Sequence, residues 1–158
     1  MSTAVIETNL GKIIFKLLPD LAPETVRNFE KLARDGFYNG TLFHRVIPGF
    51  MIQGGDPNTK RENKSTWGLG GPGHMIKAEF SSRSHHRGIV SMARSQDPNS
   101  AGSQFFIVTT DSTFLDRQYT VFGEVIEGMD VADKIVSLQR DRSDCPLEEA
   151  KMIHVKVE

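Results

Sequence analysis

Short strand-like segments separated by turn residues are the feature that most restricts how this chain can fold. The clearest is 152–157, where Met152, His154 and Lys156 alternate with Ile153, Val155 and Val157, as expected for a strand. Further strands are predicted at 4–8, 12–17, 42–46, 89–93, 105–108 and 119–125. Asn9-Leu10-Gly11 is a predicted hairpin turn between the first two. Because most of these strands follow one another without a crossover helix, the pattern favours an antiparallel sheet or barrel.

Two segments have helical periodicity instead. Pro23 suits the first position of a helix, and Gly36 suits its C-terminal stop. The apolar face between them consists of Val26, Phe29, Leu32 and Ala33. A second helix is predicted at 129–138. We expect both helices to pack on the outside of the sheet.

Composition limits the class of protein. A chain of 158 residues suits one domain, which we place at 1–158. With 19 basic and 20 acidic residues, nothing in the charge favours a nucleic-acid or membrane partner. We see no signal peptide, and the single cysteine, Cys145, allows no intrachain disulfide. We therefore expect a cytoplasmic protein, and nothing in the sequence suggests anything other than a monomer.

A long loop region rich in Gly, Pro, Asn, Ser and Lys extends from 56 to 86. Within it, 68–73 reads Gly-Leu-Gly-Gly-Pro-Gly and matches the G-x-G-x-x-G dinucleotide pattern. That site needs a strand before the glycines and a helix that begins within them, and neither is indicated here. We expect a tight loop with an exposed backbone, not a nucleotide site. Long loops of this kind are often functional.

Common catalytic signatures are missing. There is no cluster of Cys, His and carboxylates at zinc spacing, so we expect no metal and no cofactor. The adjacent pair His85-His86 is interpreted as exposed loop histidines. No serine lies in a G-x-S-x-G elbow, and Cys145 is interpreted as an incidental thiol. The chain is then either a binding module or an enzyme that makes and breaks no covalent bonds.

Residues 43–56, Phe-His-Arg-Val-Ile-Pro-Gly-Phe-Met-Ile-Gln-Gly-Gly-Asp, are the most informative stretch. In a regular strand, Phe43 and Arg45 would share one face and His44 would lie on the other. Phe50 and Met51 could each be ordinary core residues, and Arg45 could be a surface ion-pair partner. A second strip favours a site, because Met-Ala-Arg at 92–94 and Gln-Phe-Phe at 104–106 add the same types of side chain.

Together these residues resemble the cyclophilin family. Residues 43–56 resemble its signature, and the agreement continues in order at 21–29, 68–73, 78–80, 91–95, 99–107, 114–116 and 121–123. The resemblance implies a mainly β fold, a closed eight-stranded antiparallel barrel capped by two helices. It also implies a peptidyl-prolyl cis/trans isomerase that acts on X–Pro bonds of polypeptides and assists protein folding as a chaperone.

The resemblance also implies residue roles. Arg45 is the implied catalytic residue. The implied substrate-binding residues are Phe50, Met51, Gln53, Gly68, Ala93, Arg94, Gln104, Phe106, Phe114, Leu115 and Tyr119. Within that set Phe50, Met51, Phe106 and Leu115 would line a proline pocket, and Gln53 and Gln104 would bind the substrate backbone.

The chain departs from many eukaryotic members at two positions. Phe114 stands where those members have a tryptophan, and Tyr119 where they have a histidine. Both keep an aromatic wall, but we expect cyclosporin to bind weakly. Two other functions stay open at this point: a non-catalytic module of the same fold that binds a Pro-containing loop, and a general chaperone that acts through exposed apolar surface.

Overall fold

The structure, a computed structural model, describes residues 2–158 and contains one strongly curled sheet of eight strands. The strands are β1 (Thr3–Thr8), β2 (Gly11–Leu17), β3 (Phe43–Ile47), β4 (Met51–Gly54), β5 (Ile89–Met92), β6 (Phe105–Val108), β7 (Val121–Glu127) and β8 (Met152–Val157). Their order is β3-β4-β6-β5-β7-β2-β1-β8, and all neighbours are antiparallel. The mainly β, antiparallel fold is confirmed, although β4 was not predicted as a strand from the residues.

The expected closure of the barrel is wrong, because the sheet is open between its end strands β3 and β8. The outer edge of β3 is bonded instead by the irregular segment that precedes β8. Phe43 N donates to Ala150 O at 2.8 Å, and Val46 N donates to Asp144 O at 2.7 Å. An unpaired edge needs such a cover. The segment thus occupies the edge of β3 that β8 would use to close a barrel.

The two expected helices, α1 (Pro23–Arg34) and α2 (Met129–Val136), are present and pack against the sheet. Pro23 begins α1, and the free amides of its first turn are capped by a carboxylate from the long loop. Glu79 accepts from Thr25 N at 2.7 Å and from Glu24 N at 3.2 Å. Within residues 2–158, neither helix is long and apolar enough to cross a bilayer.

The C-terminal stop of α1 predicted at Gly36 is also confirmed. Gly36 has a φ of 74°, Gly36 N donates to Ala33 O, and Phe37 N donates to Leu32 O. This pair of bonds is the Schellman arrangement, which favours glycine at the left-handed position.

The predicted apolar face of α1 is buried against the inner face of the sheet. Phe29 lies at its centre, with its ring centroid 5.5 Å from Phe15 and 5.4 Å from Phe122. Aromatic pairs at such distances add about 0.5–1.5 kcal/mol beyond the burial of their area. This cluster is the main core of the protein.

Strands β4 and β6 have a buried face on each side. Phe105 and Ile107 belong to the main core, whereas Phe106 and Val108 belong to a second, smaller apolar cluster. Since side chains alternate along a strand, two faces can be buried only if both sides are covered. The second cluster lies on the outer face of the sheet, and it forms the floor of the site described next.

Candidate active site

Two adjoining cavities lie over the second cluster. The smaller, which we call the apolar pocket, has a volume of about 120 Å³ and is lined by Arg45, Phe50, Met51, Gln53, Ala93, Arg94, Phe106, Leu115 and Tyr119. The larger, which we call the glycine-loop cavity, has a volume of about 530 Å³ and includes Gly68 and Gln104. Gln53, Ala93 and Arg94 line both. The structure therefore brings eleven of the twelve predicted site residues to one groove.

The apolar pocket has a buried floor and a partly exposed wall. Met51, Phe106 and Leu115 are buried, whereas Phe50 and Tyr119 are half-buried. The rings of Phe106 and Tyr119 meet edge to face, with centroids 5.7 Å apart. A pocket with such a floor can accept a small apolar ring.

Arg94 is held in place along the wall. Its guanidinium lies 4.6 Å from the ring centroid of Tyr119, and its Nη2 donates to Gln118 O at 2.8 Å. A cation over an aromatic face is stabilised by the quadrupole of the ring. Arg94 thus packs on the face of Tyr119 while its guanidinium is bonded to the backbone.

Arg45 reaches the pocket because β3 contains a bulge. The register against β4 shifts between Phe43, which pairs with Gly54, and Arg45, which pairs with Gln53. The prediction that Phe43 and Arg45 share a face is therefore wrong: Phe43 is in the main core, and Arg45 is exposed. A bulge sets two residues against one and redirects the side chains that follow it.

A line of side-chain amides runs from Arg45 along the groove. Arg45 Nη1 donates to Gln53 Oε1 at 3.1 Å, and Gln53 Nε2 donates to Gln104 Oε1 at 3.0 Å. Gln104 Nε2 in turn donates to the carbonyls of Gly68 and Gly70, both at 3.0 Å. The two glutamines and Arg45 are therefore one connected unit.

Phe114 is the predicted site residue that lies outside both cavities. Its side chain is 66% exposed, and its ring centroid is 5.5 Å from that of Phe50. Since Phe50 lines the apolar pocket, Phe114 lies at the outer rim of that pocket.

The interpretation of His85 as an exposed loop histidine is wrong, whereas His86 is exposed as expected. His85 is fully buried behind the pocket, where burial lowers the pKa of its imidazole and the hydrogen bond to Asp116 opposes that shift. Burial likewise lowers the pKa of His44. No local pattern marked His85, because the groups that bury it come from distant strands and loops.

The remaining chemistry-bearing groups form no second centre in the described chain. No group of three or more His, Cys, Asp or Glu in residues 2–158 is placed to hold a metal ion. Cys145 is buried, and burial raises the pKa of its thiol, which disfavours the reactive thiolate.

Comparison with known proteins identifies the family. A family model described as cyclophilin type peptidyl-prolyl cis-trans isomerase matches residues 3–157, so the chain belongs to this family, as its sequence suggested. The chain is thus related to enzymes of the peptidyl-prolyl cis-trans isomerase class and is itself one of them.

Similar proteins come from bacteria and eukaryotes. A Brucella suis protein named "Probable peptidyl-prolyl cis-trans isomerase" is 49% identical over 139 residues, 85% of this chain and 71% of that protein. A peptidyl-prolyl cis-trans isomerase of Schizosaccharomyces pombe is 42% identical over 97% of each chain. The cyclophilin type isomerase of Cryptosporidium parvum, crystallised in the presence of the dipeptide Ala-Pro, has a TM-score of 0.90 at 33% identity and covers 99% of this chain and 98% of that one.

Proposed function

We propose that the apolar pocket holds the proline ring of an X–Pro segment and that Arg45 catalyses rotation about the peptide bond before that proline. The observation that carries this proposal is the guanidinium of Arg45 at the wall of a pocket with a buried aromatic floor. The pocket is large enough for a five-membered ring, with a volume of about 120 Å³.

The reaction defines what the site must supply. Rotation about an X–Pro bond breaks amide resonance and faces a barrier of about 18–20 kcal/mol. In the twisted transition state the nitrogen becomes pyramidal and regains a lone pair. A catalyst therefore needs a grip on the proline ring, an anchor for the flanking chain and a donor directed at the nitrogen.

Arg45 has the properties of that donor. It can donate to the nitrogen lone pair, which is available only in the twisted state, so the interaction is stronger in the transition state than in the ground state. Because guanidinium stays charged and presents several N–H groups in one plane, it suits this role better than a lysine. Only one of its donors is used by Gln53.

The two glutamines contribute unequally. Both amide hydrogens of Gln104 are used by Gly68 and Gly70, whereas Gln53 uses one of its two for Gln104. The second hydrogen of Gln53 is thus available to a substrate carbonyl, and it would fix one half of the peptide while the other turns. Gln104 supports this anchor. Gly68 and the chain at Ala93 and Arg94 would border the substrate backbone.

Proline-containing polypeptides are the substrate class that follows. The Cryptosporidium parvum relative was crystallised in the presence of Ala-Pro, which supports recognition of a proline-containing segment here. Cis/trans isomerisation of X–Pro bonds is a slow step in the folding of many chains. An enzyme that speeds this step would therefore assist protein folding.

Exchange NMR on a short Ala-Pro peptide tests the proposal. Uncatalysed cis/trans exchange takes tens to hundreds of seconds. The purified protein should raise the exchange rate to about the catalytic rates of ordinary enzymes. Binding of the peptide without faster exchange would instead indicate a non-catalytic Pro-loop-binding module. Equal effects on clients with and without proline would indicate a general chaperone.

A further inference from the structure

We infer that the buried carboxylate of Asp56 is a positioning residue for Arg45 and acts on it through the glycine loop, Gln104 and Gln53. The inference rests on the proposed function of Arg45. It gives a role to the Gly-Leu-Gly segment at 68–70, which is part of the nucleotide-like motif and for which no nucleotide site is expected.

Asp56 is fully buried and is surrounded by backbone donors. Its Oδ2 accepts from Gly68 N at 2.5 Å and from Gly70 N at 3.3 Å, and its Oδ1 accepts from Asn58 N at 2.8 Å. Charge-assisted bonds of this kind are stronger than bonds between neutral groups. The carboxylate thus holds the backbone amides of the same two glycines whose carbonyls accept from Gln104.

The direction of every later bond follows from this anchor. The carbonyls of Gly68 and Gly70 can only accept, so the amide nitrogen of Gln104 must face them and its oxygen must face Gln53. Gln53 must then donate to Gln104 and present its own oxygen to Arg45. The orientation of both side-chain amides is therefore set by the loop, and Arg45 is the last residue in this chain of hydrogen bonds.

The glycines are what allows the loop to approach Asp56. A Cβ at Gly70 would overlap Asp56 Oδ1 and lie 2.7 Å from Asn58 Cγ, so no other residue fits without displacing the carboxylate. Gly68 has a φ of 95°, a backbone conformation that residues other than glycine rarely adopt. In contrast, a Cβ at the neighbouring Gly71 would meet nothing within 4 Å.

Arg45 depends on this support because it has little else. It is exposed, and among residues 2–158 it has no carboxylate within 4.0 Å. A flexible arginine that must reach a transition state costs conformational entropy unless it is held in advance. Loss of the support should lower kcat more than it raises KM, since Arg45 acts on the transition state.

The first test is Asp56→Asn, which keeps the shape but places an amide NH₂ where an acceptor is needed. We expect kcat to fall by about tenfold with little change in KM, within the ~100-fold that a misplacement of about 1 Å costs. Asp141→Asn is the matched control, because Asp141 also accepts from two backbone amides, Ser143 N at 2.8 Å and Cys145 N at 3.1 Å, but has no bond to the Arg45 chain. The control should keep the kcat of the wild type.

A double-mutant cycle tests the route. In a Gln104→Ala background the bond between the loop and Gln53 is already lost, so Asp56→Asn should have little further effect on kcat. A full, additive loss in that background, or a wild-type kcat in folded Asp56→Asn, would overturn the inference. If Arg45→Ala loses activity in the same assay while Asp56→Asn does not, only this inference fails; if Arg45→Ala keeps its activity, the proposed function fails too.

A pair of glycine variants covers the case in which Asp56→Asn does not fold. Gly70→Ala should displace Asp56 and lower kcat, whereas Gly71→Ala should not. The guanidinium signals of Arg45 in ¹⁵N NMR give an independent readout. They should broaden or shift in Gly70→Ala and Gln104→Ala but not in Gly71→Ala. Unchanged signals in Gly70→Ala and in Gln104→Ala would contradict the inference that the loop positions Arg45.

Discussion

The imidazole of His85 lies nearly parallel to the ring of Phe106, with centroids 6.1 Å apart and an angle of 17° between the planes. His85 Nδ1 is 3.2 Å from Asp116 Oδ1, and its Nε2 is 3.0 Å from Ser91 Oγ. Ser91 Oγ in turn donates to Thr120 O at 2.9 Å, so the ring belongs to a buried polar network. The floor of the apolar pocket is thus backed by a buried polar group.

The first prediction follows from the lowered pKa of His85. Because the folded pKa lies below the ordinary value of 6.5, the unfolded chain binds more protons between the two values. The free energy of unfolding should therefore be highest above about pH 6.5 and fall as the pH drops below it. Urea denaturation at several pH values measures this.

Two variants separate His85 from the other histidines. His85→Phe should reduce the fall in stability between about pH 7 and 5, and the buried His44 should account for part of what remains. His86→Ala, at the exposed neighbouring position, should keep the fall of the wild type. An equal fall in His85→Phe and the wild type would show that the stability does not depend on proton binding by His85.

Activity should respond to pH differently from stability. The proposed reaction uses no titrating acid or base, and an arginine stays charged at these pH values. We expect kcat/KM to be nearly flat over about pH 6–8, without the bell shape of acid–base catalysis, and unaffected by chelators. A steep dependence in this range would point to a histidine such as His44 and contradict the mechanism.

The exposed ring of Phe114 leads to a prediction about cyclosporin. By family resemblance the usual tryptophan at this position hydrogen-bonds the drug, and phenylalanine has no donor. A missing bond of this kind is worth about 0.5–1.5 kcal/mol. Phe114→Trp should therefore tighten cyclosporin roughly tenfold, about 1.4 kcal/mol.

Peptide turnover should change little in Phe114→Trp, because Phe114 lies at the rim and not in the pocket. Titration of both proteins with cyclosporin, read as inhibition of turnover, measures the effect. Equal inhibition constants would mean that Phe114 does not contact the drug.

Local pattern predicted those parts of the fold that depend on neighbours in sequence. The apolar face around Phe29 and the alternation in 152–157 predicted a helix and a strand, and both elements formed. The alternation is broken in β8, because the register shift against β1 brings both Met152 and Val155 into the main core. The grouping of the site residues came from the resemblance, since Arg45 and Phe106 lie 61 positions apart. Cytoplasmic location, the monomeric state and the single domain stay predictions.

The features that sequence could not predict depend on distant partners. The bulge at His44 arises from the register of β3 against β4, and the burial of His85 depends on Phe106, Asp116 and Tyr119. The lack of pairing between β3 and β8 depends on the segment before β8, which covers the edge of β3 and has no periodic pattern. Each requires knowledge of which strands and loops meet in three dimensions.

The central claim is that Arg45 stabilises the twisted transition state, and Arg45→Ala tests it most directly. We expect kcat/KM for an X–Pro peptide to fall by about 10²–10³-fold, or 2.7–4 kcal/mol, as for the loss of one transition-state donor. Peptide affinity, measured by NMR titration, should change far less, and Arg45→Lys should recover only part of the rate. Isomerisation by Arg45→Ala at a rate close to that of the wild type would contradict the account.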